Sequence, residues 1–302
     1  MRVVSVLPSA TEIVFALGHG SELVGRSAEC DFPIAARELP VVMRPRTLDG
    51  DAPSQEIDAR VREARGRNES LYTLDVPLLA RLRPDLLLTQ DLCGVCSVTE
   101  DEVWEACSRA GVAPAIVALT PRTLPEVWSS IESVGEALGD PRAGRELARR
   151  LRFRAPPRAG HDRDPSVLVV EWLDPPILAG LWTPEIVRAG GGRSLGPASG
   201  EPGERTSWER LRTLDPDLVI ISPCSFSTSR TRRELEDPRL HRAIAGLSPP
   251  RGIFLADEAY FSRPGPRLAD GADLVRNLLE GRTGGTPMPV EPWIESTGEA
   301  AA

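Results

Sequence analysis

Cys93-x-x-Cys96 is the one spacing in this sequence that reads directly as chemistry, either a redox pair or half of a metal site. A zinc site takes about four ligands, and the three histidines, His19, His161 and His241, lie at no ligand spacing to the pair or to one another. Cys30 and Cys224 fall at comparable places along the chain, each just after an apolar run, so a thiol cluster is one reading. Small, buried, inert thiols are the other. Cys107 sits inside a helical pattern and belongs to a core. Five cysteines, an odd number in a chain this long, do not make a secreted disulfide framework. The usual nucleophile and phosphate motifs are missing: there is no G-x-S-x-G, no P-loop and no G-x-G-x-x-G. Gly190-Gly191-Gly192 follows a helical pattern and reads as a C-cap. Asp85 and Asp217 each follow a proline and precede a strand, as turn residues do. The expectation is a protein that is not an enzyme. The rival is a thiol- or metal-dependent enzyme built on Cys93 and Cys96.

Short apolar runs bounded by turn residues predict strands at 3–7, 86–88, 167–170, 218–221 and 253–255, with a further short one at 23–25. Helical periodicity predicts helices at 11–17, capped by Ser9 or Thr11 and stopped at Gly18, and at 54–67, 99–110 and 268–279. A longer helical pattern runs from 124 to 154, with a break near Gly139-Asp140-Pro141. The two halves repeat each other. Leu79-x-x-Leu82-x-Pro84-Asp85-Leu86 is matched by Leu211-x-x-Leu214-x-Pro216-Asp217-Leu218, and Thr11-Glu12-Ile13-Val14 by Pro184-Glu185-Ile186-Val187. The fold class expected is α/β: two similar α/β lobes with mostly parallel sheets joined by one long interlobe helix. The lobes are set at 1–120 and 161–282, the interlobe helix and linker at 121–160, and a loose tail at 283–302.

Open parallel sheets bind ligands at the carboxyl ends of their strands. That rule selects Ser9, the loop from Glu29 through Cys30 and Asp31 to Phe32, Gln90, Asp91 and Cys93 in the first half. In the second it selects Trp172, Tyr260, Phe261 and Arg263, with Trp182 nearby. Aromatic residues make up 5% of the chain, yet Trp172, Trp182, Phe226, Tyr260 and Phe261 gather in or near these second-half loops, a wall suited to a flat apolar ligand.

The composition is that of a globular protein, 41% hydrophobic and 26% charged. At roughly 100–200 residues per domain, 302 residues make two domains. All 36 basic residues are arginine, and the net charge is −8. An acidic chain with no dense basic stripe argues against nucleic acid and against an anionic membrane surface as partners. No stretch reaches the ~20 apolar residues of a membrane span. Residues 3–7 are cut short by Pro8, before the about 7–15 apolar residues of a secretory segment are reached. A cytoplasmic address is expected; a start trimmed of its leader would make it extracytoplasmic.

Several segments carry a family resemblance: VVSVLPSATEIVFALG at 3–18, GRSAECDFP at 25–33, LARLRPDLLLTQ at 79–90, EWLDPPILAGLWTPEIVRAGGG at 171–192, SWERLRTLDPDLVIISP at 207–223 and AYFSRPGPRLADG at 259–271. In order, over about residues 2–280, the chain resembles the substrate-binding proteins of bacterial ABC importers, in the helical-backbone group that binds cobalamin, haem and iron–siderophores. It is most similar to the cobalamin branch, and TQDLCGVC at 89–96 looks like a leaderless subgroup. The resemblance implies a corrinoid, cobalamin, held between two lobes, with no cofactor required and an ABC importer permease as partner. An iron–siderophore or haem is the alternative ligand. By position, Trp172, Trp182, Tyr260 and Phe261 would line the second-lobe wall, and Glu29 to Phe32 with Gln90 to Cys93 the first. Arg263 would reach a polar substituent. Glu209 would dock on transporter arginines, with Asp75 the nearest acid in the first lobe, where Pro77 stands at the matching position. Glu29 and Gln90 replace residues that are aromatic in exported cobalamin binders.

Overall fold

The computed structural model describes residues 1–46, 51–67, 69–90, 98–283 and 290–293. The chain divides into two compact units, one of residues 1–154 with 263–266, the other of residues 155–262 with 267–302.

Unit 1 runs β1 (Val3–Ser5), α1 (Pro8–Ala16), β2 (Leu23–Ser27), β3 (Val41–Pro45), α2 (Ser54–Gly66), β4 (Tyr72–Leu74), α3 (Val76–Leu82), β5 (Leu86–Thr89), α4 (Glu100–Ala110), β6 (Ala115–Ala118), α5 (Leu124–Ala137) and α6 (Pro141–Arg154). Its sheet has the order β4-β3-β2-β1-β5-β6, parallel except for β4. The chain builds outward from β1 to β2 and β3, then returns to the far side of β1 for β5 and β6. The switch point therefore lies between β1 and β5, whose carboxyl ends lead to Ser9 and Gln90. The central strands β1 and β5 are buried throughout and mostly apolar, as strands covered on both faces of a parallel sheet are. Val4, Val6, Val42, Met43, Leu79, Leu87 and Val103 pack into one core with Cys107.

Unit 2 runs β7 (Ser166–Leu173), β8 (Pro176–Leu178), α7 (Thr183–Ala189), β9 (Arg193–Ser194), β10 (Glu204–Arg205), α8 (Trp208–Arg212), β11 (Leu218–Ile221), α9 (Thr228–Glu234), α10 (Pro238–Ala245), β12 (Ile253–Ala256), α11 (Leu268–Leu279) and β13 (Val290–Pro292). Strands β7, β11 and β12 are parallel neighbours, as are β7 and β9; β8, β10 and β13 add antiparallel edges.

The internal repeat holds at the level of single hydrogen bonds. Asp85 Oδ2 accepts from the Arg2 N–H at 2.7 Å, at the entry to β1. Asp217 Oδ2 accepts from the Ser166 N–H at 2.7 Å and from its hydroxyl at 2.8 Å, at the entry to β7. Each aspartate N–H donates back to the same partner's carbonyl, at 2.8 and 3.0 Å. These bonds from Ser166 hold the Asp217 carboxyl below its usual range.

The two-lobed, mostly parallel α/β class is the one expected from the sequence, and several details differ. The helical pattern over 124–154 is two helices, turned at Gly139 (φ +79°), and they pack so closely that a Cβ on Gly135 would lie 2.8 Å from the Gly144 Cα. Helix α1 begins at Pro8 with Leu7 as its N-cap and no side-chain cap. Proline suits that first position, and the Thr11 hydroxyl bonds to Ser5 and Cys30 instead. Strands β3, β4 and β6 were not legible, for Pro45 and the half-exposed residues of β4 and β6 blur the apolar runs. Within the tail expected to be loose, residues 290–292 pair antiparallel with β12, and the Trp293 ring lies 5.0 Å from that of His241.

A glycine-to-alanine change inside a helix ordinarily stabilises by up to about 1 kcal/mol. At Gly135 the sign is expected to reverse. Gly135→Ala has no room against the Gly144 backbone, and urea denaturation is expected to show a loss of about 1–3 kcal/mol.

Candidate functional site

In unit 1 the strand-end residues surround one charged cluster. Arg263, 11% exposed, places Nη1 2.5 Å from Asp31 Oδ1 and 3.3 Å from Glu12 Oε1. Glu12 is buried in α1, within an otherwise apolar run, and was not singled out from the sequence. A lone carboxylate among Ile13, Val14 and Phe15 was the available signal, since a buried acid needs a cation. Glu29 stands beside the pair. Burial raises its carboxyl above the ordinary range, with Arg263 opposing the shift and Asp31 adding to it. Arg263 is thus held by two carboxylates, where the resemblance had it reaching a ligand substituent. Beneath them, Ser9 is buried and Cys30 is fully buried, its sulfur 3.1 Å from the Thr11 hydroxyl. Burial pushes the Cys30 thiol up to about 11. Phe32, 47% exposed, and Ile34, 71% exposed, project from the following loop on either side of Pro33. Gln90 is half-buried at the end of β5. Asp91, Cys93 and Cys96 lie outside the described residues.

In unit 2 the aromatic side chains fall into two groups. Trp172, partly exposed near the end of β7, lies 5.4 Å from Phe226 at 58°, and the Arg230 guanidinium sits 4.6 Å from the other ring's centroid. The Trp172 indole N–H is shielded from solvent and has no hydrogen-bond partner among the described residues. Trp182, Tyr260 and Phe261 form the second group, and all three are buried. Trp182 Nε1 donates to the Phe261 carbonyl at 2.5 Å, and the Tyr260 and Phe261 rings are 6.4 Å apart. This group packs and fixes its loop, while Trp172 keeps an open face. The loop after β11 is held by Glu258, whose Oε2 accepts from the Ser225 N–H at 2.5 Å where Ser225 takes φ +64°.

Asp75 is the N-cap of α3, accepting from the Leu78 N–H at 2.8 Å. Glu209 is exposed in the first turn of α8. Its own N–H and the Ser207 hydroxyl hold its carboxyl below the usual range. Among the described residues, no group of three His, Cys, Asp or Glu side chains is placed to hold a metal, and no helix is long and apolar enough to cross a membrane.

The fold is the two-lobed α/β fold seen in solved helical-backbone periplasmic binding proteins, and the comparisons give the chain relatives. The chain is 21% identical over 286 residues to the vitamin B12-binding protein of Vibrio cholerae, covering 92% of this chain and 89% of that one. It is 22% identical over 287 residues to the ABC transporter substrate-binding lipoprotein YvrC of Bacillus subtilis, covering 90% and 77%. Among solved structures, a periplasmic heme-binding protein from Pseudomonas aeruginosa superposes with a TM-score of 0.68 at 23% identity, covering 98% and 99%. The periplasmic vitamin B12-binding protein BtuF of Vibrio cholerae gives 0.60 at 20%, covering 92% and 96%. No family model matches the chain. The resemblance to ABC-importer substrate-binding proteins is borne out. The expected cytoplasmic address is not: one relative is a lipoprotein and the structural neighbours from Pseudomonas aeruginosa and Vibrio cholerae are periplasmic, so a short apolar run ahead of Pro8 is no guide to the compartment.

Two expectations follow. Arg263→Met leaves the buried Glu12 carboxylate without this cation and is expected to cost about 3 kcal/mol in denaturant unfolding. Cys30 is held as the neutral thiol in the folded state, with its value raised from the ordinary 9.0 to about 11. Its contribution to stability is therefore complete below the unfolded value and lost as pH rises through the folded one. Stability should fall between about pH 9 and 11, and Cys30→Ala should flatten that slope. At neutral pH iodoacetamide should label the partly exposed Cys224 well before Cys30 or Cys107.

Proposed function

We propose that this protein is an extracytoplasmic carrier for a corrinoid, cobalamin, which it delivers to an ABC importer without transforming it. The observation that carries the reading is Trp172. It is a partly exposed ring near the carboxyl end of β7, packed against Phe226, which in turn carries the Arg230 guanidinium. A macrocycle rimmed by amide side chains can lay an apolar face against the ring. Phe32 and Ile34 add exposed apolar surface beside the carboxylates of unit 1, and Glu29 and Gln90 supply polar groups for further amides. The vitamin B12-binding relative of Vibrio cholerae, matched over 89% of its length, supports the same ligand. Trp182, Tyr260 and Phe261 act in this reading by fixing the loop. Asp75 and Glu209, each exposed at the start of a short helix, are the acids offered to permease arginines.

Titration of the purified protein with cyanocobalamin, followed by absorbance and calorimetry, is expected to give saturable binding with Kd below about 10 µM and no change in the recovered corrinoid. Trp172→Ala should weaken it about tenfold. Haem binding in place of corrinoid binding would move the ligand assignment to haem, and a chemically altered corrinoid would overturn the carrier reading.

A further inference from the structure

Helix α6 carries six arginines against one glutamate in fourteen residues, within a chain whose net charge is −8. Its helical phase sorts them. Gly144, Leu147, Ala148 and Leu151 are buried on one side. On the opposite side, at spacings of three and four, stand Arg142, Arg145, Arg149 and Arg150, all exposed. Phe153 falls in the middle of that exposed side and is 87% exposed, the most open of the large apolar residues described. Glu146 is the single acid on that side.

The pairing pattern sets this face apart. Several arginines on other helices meet an acid one turn away, as in Arg60–Glu56, Arg62–Asp58 and Arg109–Glu105, while single ones such as Arg81 and Arg242 do not among the described residues; α6 differs in carrying four such arginines on one face. On α6, Arg152 pairs with Glu132 of α5 at 2.7 Å, which ties the helix to its neighbour. Among the described residues, Arg142, Arg145, Arg149 and Arg150 have no ion-pair partner. A face of unpaired guanidinium groups around a bare phenyl ring loses free energy in water alone, through mutual repulsion and exposed apolar surface.

We propose that the outer face of α6 docks on an anionic phospholipid surface, with Phe153 entering the interface and the four arginines on headgroup phosphates. Guanidinium groups take phosphate oxygens in a planar, two-pronged geometry. A basic helical face with an aromatic residue at its centre is the pattern of a helix that lies in the plane of a membrane interface. The acidic remainder of the chain would be repelled by the same lipid, so attraction is confined to this side and fixes the orientation. This inference does not depend on the ligand: a protein that failed to bind cobalamin could still dock.

The test is flotation of the full-length protein with liposomes of phosphatidylcholine alone and with about one third phosphatidylglycerol. Binding is expected only with the anionic lipid, and is expected to be lost at high salt. Replacing Arg142, Arg145, Arg149 and Arg150 together by glutamine should lower partitioning at least about thirtyfold, and Phe153→Ser should lower it several-fold. Both substitutions face solvent, and circular dichroism checks that the variants fold. The control variant Arg60→Gln/Arg67→Gln, on α2 and its C-cap, should bind as the parent does. Equal binding to neutral vesicles, no binding to anionic ones, or an α2 effect as large as that on α6 would overturn the proposal. So would tighter binding to polyglutamate or DNA that is indifferent to Phe153→Ser, which would make the partner a soluble polyanion.

Discussion

Each sheet is pinned at the amino-terminal end of its strands by one carboxylate. Asp85 holds the entry to β1 and Asp217 the entry to β7, each by accepting from the first backbone N–H and returning its own N–H to the partner's carbonyl. A parallel pair gains nothing from a tight turn, and its register is open to slippage unless something fixes it. A slip of one residue would move every side chain to the opposite face of the sheet and displace the strand ends by about 3.3 Å. The loops that carry the candidate site residues sit at those far ends. The Pro-Asp pair works away from the ligand edge and still decides where Ser9, Gln90 and Trp172 come to lie. Its presence in both halves is why the repeat shows through changes in loop length.

With the ends fixed, the two units supply different surfaces. Unit 1 gathers charge: Arg263 is shared by Glu12 and Asp31, and Glu29 is held toward its neutral form beside them. A buried arginine between two carboxylates costs desolvation that only good geometry offsets. Arg263 therefore belongs to the architecture of the cluster, and its charge is already spoken for by protein groups. The exposed apolar side chains of unit 1 are Phe32 and Ile34. Unit 2 offers one braced aromatic face, Trp172, and a second aromatic group locked into its own loop. One surface gives hydrogen-bonding groups beside modest apolar area, the other a flat ring.

Much of this was legible in the sequence because physics repeats it locally. Leu218–Ile221 and Leu268–Leu279 form the elements that the apolar run and the helical period predict. The repeat marked the halves, and strand ends marked the loops. What the sequence hid is what depends on long-range contact. Glu12 and Arg263 lie 251 residues apart, and no local pattern couples a buried acid to so distant a cation. The split between Trp172 and the buried Trp182–Phe261 pair arises from packing, since all three are aromatic residues near strand ends. Strand β13 forms because β12 offers an open edge, a fact about the sheet rather than about residues 290–292.

Net charge shows the same limit from another side. A value of −8 is an average over the whole chain, and it argued against any anionic surface as partner. Interactions between exposed charges are screened beyond about 8–10 Å at physiological salt. A surface in contact with one helix face therefore responds to the few charges on that face and scarcely to the total. In sequence, the arginines of α6 are interleaved with Gly144, Leu147, Ala148 and Leu151, which dilutes them over fourteen residues. The helix undoes that dilution by turning the small and apolar residues inward and the arginines outward around Phe153. The charge that a partner meets is thus set by the helical period and by which side α5 covers, and the composition of the chain carries no record of either.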